Sequence, residues 1–223
     1  MLEVTSAWKI AYPEAHVGLL ILREVSNPPS NPELEDKKRI LEAHLKQIYS
    51  DPVAIQNSPI LQAYEAYYRP FKKTYHLRLQ LESIINKGKP IPRVAALVEA
   101  MFMTEMEYLL LTAGHDLDAV KLPLSLDIAR GNEDYRILRG EQQLLKEGDM
   151  LIRDQEGVIS SIIYGPDQRT QIHSGTTNAL FTVYAPKGID EQMITRHLQK
   201  LEQNVQLFSP DAHREILKIY NGL

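Results

Sequence analysis

The run from Asp149 to Pro186 constrains the fold more than any other stretch of this chain. DMLIRDQEGVISSIIYGPDQRTQIHSGTTNALFTVYAP reads as strand, tight turn, strand, polar loop and strand. DQEG between two β-rich runs is a hairpin signal, because Gly157 tolerates a positive φ. The connection that follows gathers Gly165, Asp167, Arg169, Thr170, His173, Thr176, Thr177 and Asn178 between two strands. Polar loops carried on a rigid sheet are where binding and catalysis usually sit.

Around this segment the chain divides into a helical half and a strand-rich half. Two strands are expected first, over VTSAWKIA and HVGLLILREV, parted by Tyr12-Pro13-Glu14. SNPPSNP then breaks the backbone, and Asn31 with Pro32 opens a helix whose Leu34, Leu41, Leu45 and Ile48 share one stripe. Further helices are expected from Ser58-Pro59 to Pro70, over LRLQLESIIN to Gly88, and over VAALVEAMFMTEMEYLLL. That last helix is apolar on more than one side, so it should be largely buried. A turn is expected at Ala113-Gly114-His115, then strands over LPLSLDIARG and EDYRIL, then the hairpin and TNALFTVYA. Ile194, Leu198, Leu201 and Val205 mark one face of a late amphipathic helix, and DAHREILKIY a last short one. Strands segregated from helices, with no repeat or interior linker, predict an α+β fold in a single domain over 1–223.

Hydrophobic residues make up 43% of the chain and charged residues 24%, an ordinary balance for a water-exposed globular protein. There is no cysteine, which excludes disulfides, thiolate metal sites and cysteine nucleophiles. The N-terminus lacks a basic segment followed by an apolar one, and no apolar run approaches the roughly 20 residues of a membrane span. A cytoplasmic location follows as the expectation. With a net charge of −4 the bulk of the surface is unsuited to gripping a long phosphate backbone. A small basic patch can still touch the end of an RNA, and Arg69, Lys72 and Lys73 in YYRPFKKTYHLR are the candidates. The same residues also read simply as a solvated helix flank.

No GxSxG elbow, phosphate-cradling glycine loop or dinucleotide fingerprint is present. The seven histidines show no metal-ligand spacing, so neither a metal nor a cofactor is expected. Ser160 and Ser161 read as ordinary strand positions. Arg169 beside Thr170, preceded by Gly165-Pro166-Asp167, allows two readings. The guanidinium either anchors a carboxylate or phosphate of a ligand, or clamps its own loop through Asp167.

Three stretches carry a resemblance to a known family. EAMFMTEMEYLLLTAGHDLDAV has a helix ending before the element Asp116-Leu117-Asp118. LKEGDMLIRDQEGVISSIIYG is a hairpin marked by Gly148, Ile152, Asp154 and Gly157. TTNALFTVYAP places Thr176, Asn178 and Tyr184 on a strand. In order and spacing these resemble the tRNA-editing domain formed by the third and fourth B modules of the phenylalanyl-tRNA synthetase β subunit, and free-standing proteins made of it. The likeness is strongest over 60–190.

The resemblance implies a β-sandwich of unusual topology flanked by helices, and an activity: hydrolysis of tyrosine wrongly esterified to phenylalanine tRNA. That chemistry needs a pocket for the amino acid and a positioned water rather than a side-chain nucleophile. By the same likeness the family's tyrosine-binding glutamate falls at Thr182, and its histidine falls near Ala113, with His115 two positions away. The family's downstream Thr-x-Ala segment has no counterpart after Pro186. The pocket expected here is built from Gly165, Asp167, Arg169, Thr170, Thr176, Asn178, Thr182 and His115. The expected activity is trans-editing of a mischarged tRNA in translation quality control, by a deacylase that does not aminoacylate. Its partners would be a tRNA acceptor end and a synthetase, with neither DNA nor membrane. Two other readings stand beside it: a non-catalytic module for a small amino-acid-like ligand, and a protein-interaction domain whose pocket has decayed.

Overall fold

Thr5 sets the first turn of the chain. In the computed structural model, which describes residues 1–222, its hydroxyl accepts the Trp8 N–H at 3.2 Å and donates to Asp127 at 2.8 Å. This N-cap ends strand β1 (Leu2–Val4) and starts helix α1 (Ser6–Ala11). The strand expected over VTSAWKIA is therefore corrected: of those residues only Val4 is strand, and Ser6–Ala11 is a short helix. The helix sinks Trp8 completely into the core.

Strand β2 (His16–Arg23) follows, then helices α2 (Pro32–Ile48), α3 (Pro52–Gln56), α4 (Pro59–Tyr68), α5 (His76–Lys87) and α6 (Ala96–Tyr108). Asn31 and Ser58 cap α2 and α4 as the sequence predicts, each accepting an N–H three residues on. The second half holds β3 (Leu111–Asp116), β4 (Leu124–Ile128), β5 (Asp134–Arg136), β6 (Gln142–Leu144), β7 (Met150–Arg153) and β8 (Val158–Ser161). It ends with β9 (Gly165–Pro166), β10 (Asn178–Ala185), α7 (Glu191–Gln206) and β11 (His213–Asn221).

One sheet runs β1-β4-β7-β8-β9 and the other β11-β2-β10-β3, while β5 and β6 form a separate ribbon. Among the described residues only β1 and β4 pair in parallel. Alternation along β10 sends Tyr184 toward the first sheet, where its hydroxyl meets the Ser160 hydroxyl at 2.6 Å. The opposite face of the second sheet is covered by helices, with Thr112 of β3 bonded to His197 of α7 at 2.8 Å. The fold is α+β, two sheets with helices packed outside them.

Three more expectations are corrected. The helix expected to reach Leu111 stops at Tyr108, where Leu109 turns into the left-handed region with φ 58°. The segment read as a turn at Ala113-Gly114-His115 is the middle of β3, buried along its whole length and paired with β10 from Leu111 to Asp116. DAHREILKIY, read as a helix, is strand β11, paired with the other edge of β2 from His213 to Asn221. In the last two cases a long-range ladder partner outweighs a local helix or turn preference.

Gly18 shows how closely α7 lies on the second sheet. A Cβ there would stand 2.5 Å from Ile194 Cγ2 and 2.9 Å from Leu198 Cδ1. Gly18→Ala should therefore push α7 outward and cost about 1–3 kcal/mol. The midpoint of a urea titration reads this directly; an unchanged midpoint would mean that α7 is not held against β2.

Candidate functional site

In the second sheet β3 pairs only with β10, so its other edge is free for the polar loop. The loop closes on it at one end: Asp116 N–H donates to Thr170 O at 2.7 Å, and His115 bridges to Gln171. Farther along, β3 and α6 stand apart from β9. Between them lies a cavity of about 240 Å³.

Its walls are mainly apolar. Helix α6 supplies Val98, Met101 and Phe102, β3 supplies Leu111, Ala113 and Gly114, and Ile172 covers one side. Polar groups enter at separate points: Ser161 from the end of β8, Tyr184 from β10, Gln171 from the loop and His76 from the start of α5. Gly165 lines the cavity at φ +77°, and nothing lies within 4 Å of where its Cβ would stand. The positive φ favours glycine, and the open space leaves the backbone accessible to a ligand. Tyr135 fixes this turn by donating to Gly165 O at 2.6 Å.

One further cavity residue, Glu105 of α6, has no place in the loop-based expectation. It is 2% exposed, and one carboxyl oxygen accepts the Thr112 N–H at 2.7 Å. Burial pushes its pKa up to about 8, with the Thr112 N–H pulling it back only in part. The sequence did hold a signal. A helix apolar on several sides has to bury some of its charged residues, and Glu99 and Glu105 are both buried.

The other expected pocket residues are placed differently. Arg169 donates to both oxygens of Asp154 at 2.9 Å and to Ala119 O at 3.0 Å, and it stands near Glu156 and Asp167. Asp154 also receives the N–H groups of Lys121, Glu156 and Gly157. Burial works to raise its pKa, but those N–H groups and the guanidinium more than offset it and hold it low. The Arg169 guanidinium is thus engaged chiefly by Asp154 of the β7–β8 turn, with Asp167 of its own loop only at 3.7 Å, and it ties the loop to that hairpin and to Ala119.

Asp167 accepts both the N–H and the hydroxyl of Thr170, and Thr170 in turn meets His115 Nδ1 at 2.7 Å. Since the Thr170 hydroxyl is given to Asp167, His115 donates from Nδ1. Its pKa falls to about 3, first through burial and then through Arg169 nearby. Thr176 donates to Asp116 at 3.1 Å, and Asn178 donates to both oxygens of Asp118. Thr182 is buried in β10 between Leu19 and Ala113, and its hydroxyl has no partner among the described residues. Ala113, its neighbour across the ladder, faces the cavity instead. So among the eight expected residues Gly165 lines the cavity, while the other seven brace the loop or lie in the inter-sheet core.

None of the basic candidates lines the cavity. Arg69 belongs to a 3-10 turn that ends at Lys72, and Arg69, Lys72 and Lys73 are all exposed. Lys73 Nζ lies 5.4 Å from the Tyr164 ring centroid, within cation–π range. Tyr164 directly precedes Gly165, so the basic segment reaches the cavity turn through one aromatic ring. Lys146 adds a fourth positive charge by donating to Phe71 O. Among the described residues no group of three or more His, Asp or Glu could hold a metal ion, and no helix is long and apolar enough to cross a membrane.

The family model of the B3/4 domain matches residues 61–207, which covers α4 to α7 and every wall of the cavity. The chain belongs to the B3/4 domain family. A solved N-terminal fragment of the phenylalanyl-tRNA synthetase beta-subunit from Pyrococcus horikoshii is similar, with a TM-score of 0.54 at 12% identity. The likeness covers 98% of this chain and 50% of that one, so this B3/4 protein spans about half the length of the fragment it resembles. At that identity the likeness concerns the fold. A search of curated proteins finds no match.

Proposed function

We propose that this B3/4 protein acts in trans on an aminoacyl-tRNA in the cytoplasm, taking the amino-acid side chain into the cavity between β3, α6 and β9 and hydrolysing the ester. The observation that carries the reading is the juxtaposition at Tyr164. A cavity of about 240 Å³, below the roughly 300 Å³ at which drug-sized pockets begin, is lined by Gly165, and an exposed basic segment on an acidic protein packs on the residue before it. That combination suits a small group delivered on the end of a polyanion. Lys72, Lys73 and Arg69 would contact phosphates near the acceptor end, and Gly165 would bring backbone close to the aminoacyl group. Ser161 would supply the hydroxyl that orients an attacking water. A synthetase partner would add the affinity that so few cations do not provide.

The test is a panel of mischarged tRNAs incubated with the purified protein. At least one should be deacylated tenfold or more above its spontaneous rate. tRNA binding should weaken with salt at a logarithmic slope of about −2 to −3, as expected for three phosphate contacts. Lys72→Glu/Lys73→Glu should flatten that slope. No turnover and no binding across the panel would overturn the reading. The non-catalytic alternative is favoured by the apolar walls, and it predicts free amino-acid binding that is indifferent to salt.

A further inference from the structure

A second cavity, of about 360 Å³, lies between α5, the segment 89–92 and α6, and it meets the first across His76 and Phe102. Its apolar walls are Leu79 and Ile84 of α5, Pro90 and Pro92, and Phe102 and Met106 of α6. The segment that closes it is held in place by local chemistry. Gly88 ends α5 at φ 62°, Lys89 N–H donates to Ser83 O at 3.2 Å, and Ile91 N–H donates to Glu42 at 2.7 Å. The two prolines fix their own φ angles, so the cavity needs no occupant to shape it. Leu79 is 51% exposed in this setting, and Pro90 and Pro92 are exposed as well. Apolar residues gathered at the mouth of a concave site mark a place where something binds. Among the described residues Lys89 is the one lysine or arginine of the lining, and no aspartate or glutamate joins it. The ion pairs made by lysines involve other positions, which leaves the Lys89 ammonium to solvent.

We propose that this second cavity binds a small organic acid, made of one ring or branched apolar group and a single carboxylate. The body lies on Phe102, Met106 and Leu79, and the carboxylate meets the Lys89 ammonium. The volume passes the roughly 300 Å³ at which ligand pockets begin, and it holds a ring with a short chain. An exposed lysine can lay its stem along the apolar wall and keep its charge at the mouth, so the acid pairs there while its body leaves water. A neutral molecule of the same shape uses the walls alone. A cation of that shape meets a like charge. The assignment depends neither on tRNA nor on what enters the first cavity.

Three compounds with one body and different heads test it: 3-phenylpropanoate, its primary amide and 3-phenylpropylamine. Each is titrated into the full chain while NMR follows the amide resonances of Ser83 and Ile91, with Gly114 and Gly165 reporting on the first cavity. The acid should shift Ser83 and Ile91 and bind about fivefold more tightly than the amide, the upper end for a pair at an exposed lysine. The amine should bind weakest. Added salt should erode the preference for the acid and leave the amide unaffected. Lys89→Met, an exposed change, should bring acid and amide within about twofold of each other. Leu79→Glu should abolish binding of the acid. Equal affinity for acid and amide in the wild type would overturn the proposal, as would a preference that survives Lys89→Met. Shifts confined to Gly114 and Gly165 would do the same, because they would put the acid in the other cavity. An acetylated hexapeptide ending in phenylalanine presents the same ring and carboxylate on a longer chain. Tighter binding of that peptide than of the free acid would give the site to a protein partner and refute the assignment to a small molecule.

Discussion

Lys38→Met is expected to destabilise the protein by roughly 3–5 kcal/mol, the range for removing one partner of a buried ion pair. Lys38 is 2% exposed on α2, and its ammonium lies 2.7 Å from Glu99 and 2.5 Å from Glu35. Glu99 of α6 is 1% exposed, and its other oxygen accepts the Val94 N–H at 2.8 Å. Without the lysine, a buried carboxylate keeps one backbone N–H and loses its counter-ion. The double variant Lys38→Met/Glu99→Met should recover most of the loss, since a buried pair replaced by apolar groups of similar volume is often neutral or better. Urea midpoints of the two variants measure this. A loss below about 1 kcal/mol in the single variant would mean that water reaches the pair.

The second large effect is the dependence of stability on pH. Glu105 has a folded pKa near 8 against 4.5 for the ordinary group, so the native state holds its proton more tightly. Its contribution is complete below pH 4.5 and is lost as pH rises through 8. Asp149, raised to about 6 chiefly by burial, acts in the same direction over a lower window. His115 and His197 act oppositely. Burial holds both near 3, so their contribution is present above pH 6.5 and is lost as pH falls toward 3. Between about 4.5 and 6 the opposed groups nearly cancel, and Glu105 is left alone only above about 7.5, once the unfolded-state histidines have lost their protons. Wild type should therefore lose about 1 kcal/mol between pH 6.5 and pH 8, the Glu105 slope of at most about 1.36 kcal/mol per unit being partly offset by the two histidines. Glu105→Gln should lose nothing and gain slightly over that range, from the two histidines. Equal slopes in the two proteins would place the Glu105 titration outside this window.

Much of the architecture was legible in the chain. Asn31-Pro32 and Ser58-Pro59 announced α2 and α4 because capping is local chemistry, settled within four residues. The β7–β8 hairpin was legible for the same reason, with DQEG turning at Gly157. The failures lay where distant residues compete. VTSAWKIA alternates partly, yet Thr5 caps a helix because Asp127, far along the chain, holds its hydroxyl. DAHREILKIY can be written on a helix, but an unpaired edge of β2 draws it into the sheet.

The site divides along the same line. Sequence by itself determined that a polar loop on a rigid sheet would carry Gly165 beside Asp167, Arg169 and Thr170, because turn and strand chemistry are written residue by residue. It could not say which polar side chains brace the loop and which face open space. Arg169 is drawn to Asp154 from the neighbouring hairpin, and Thr176 to Asp116 at the end of β3. Tertiary packing alone brought Glu105, on a helix that reads as plain core, against β3 beside Gly114. Charged groups in a core are fixed by whichever partner reaches them first in space, and that partner is rarely near in the chain.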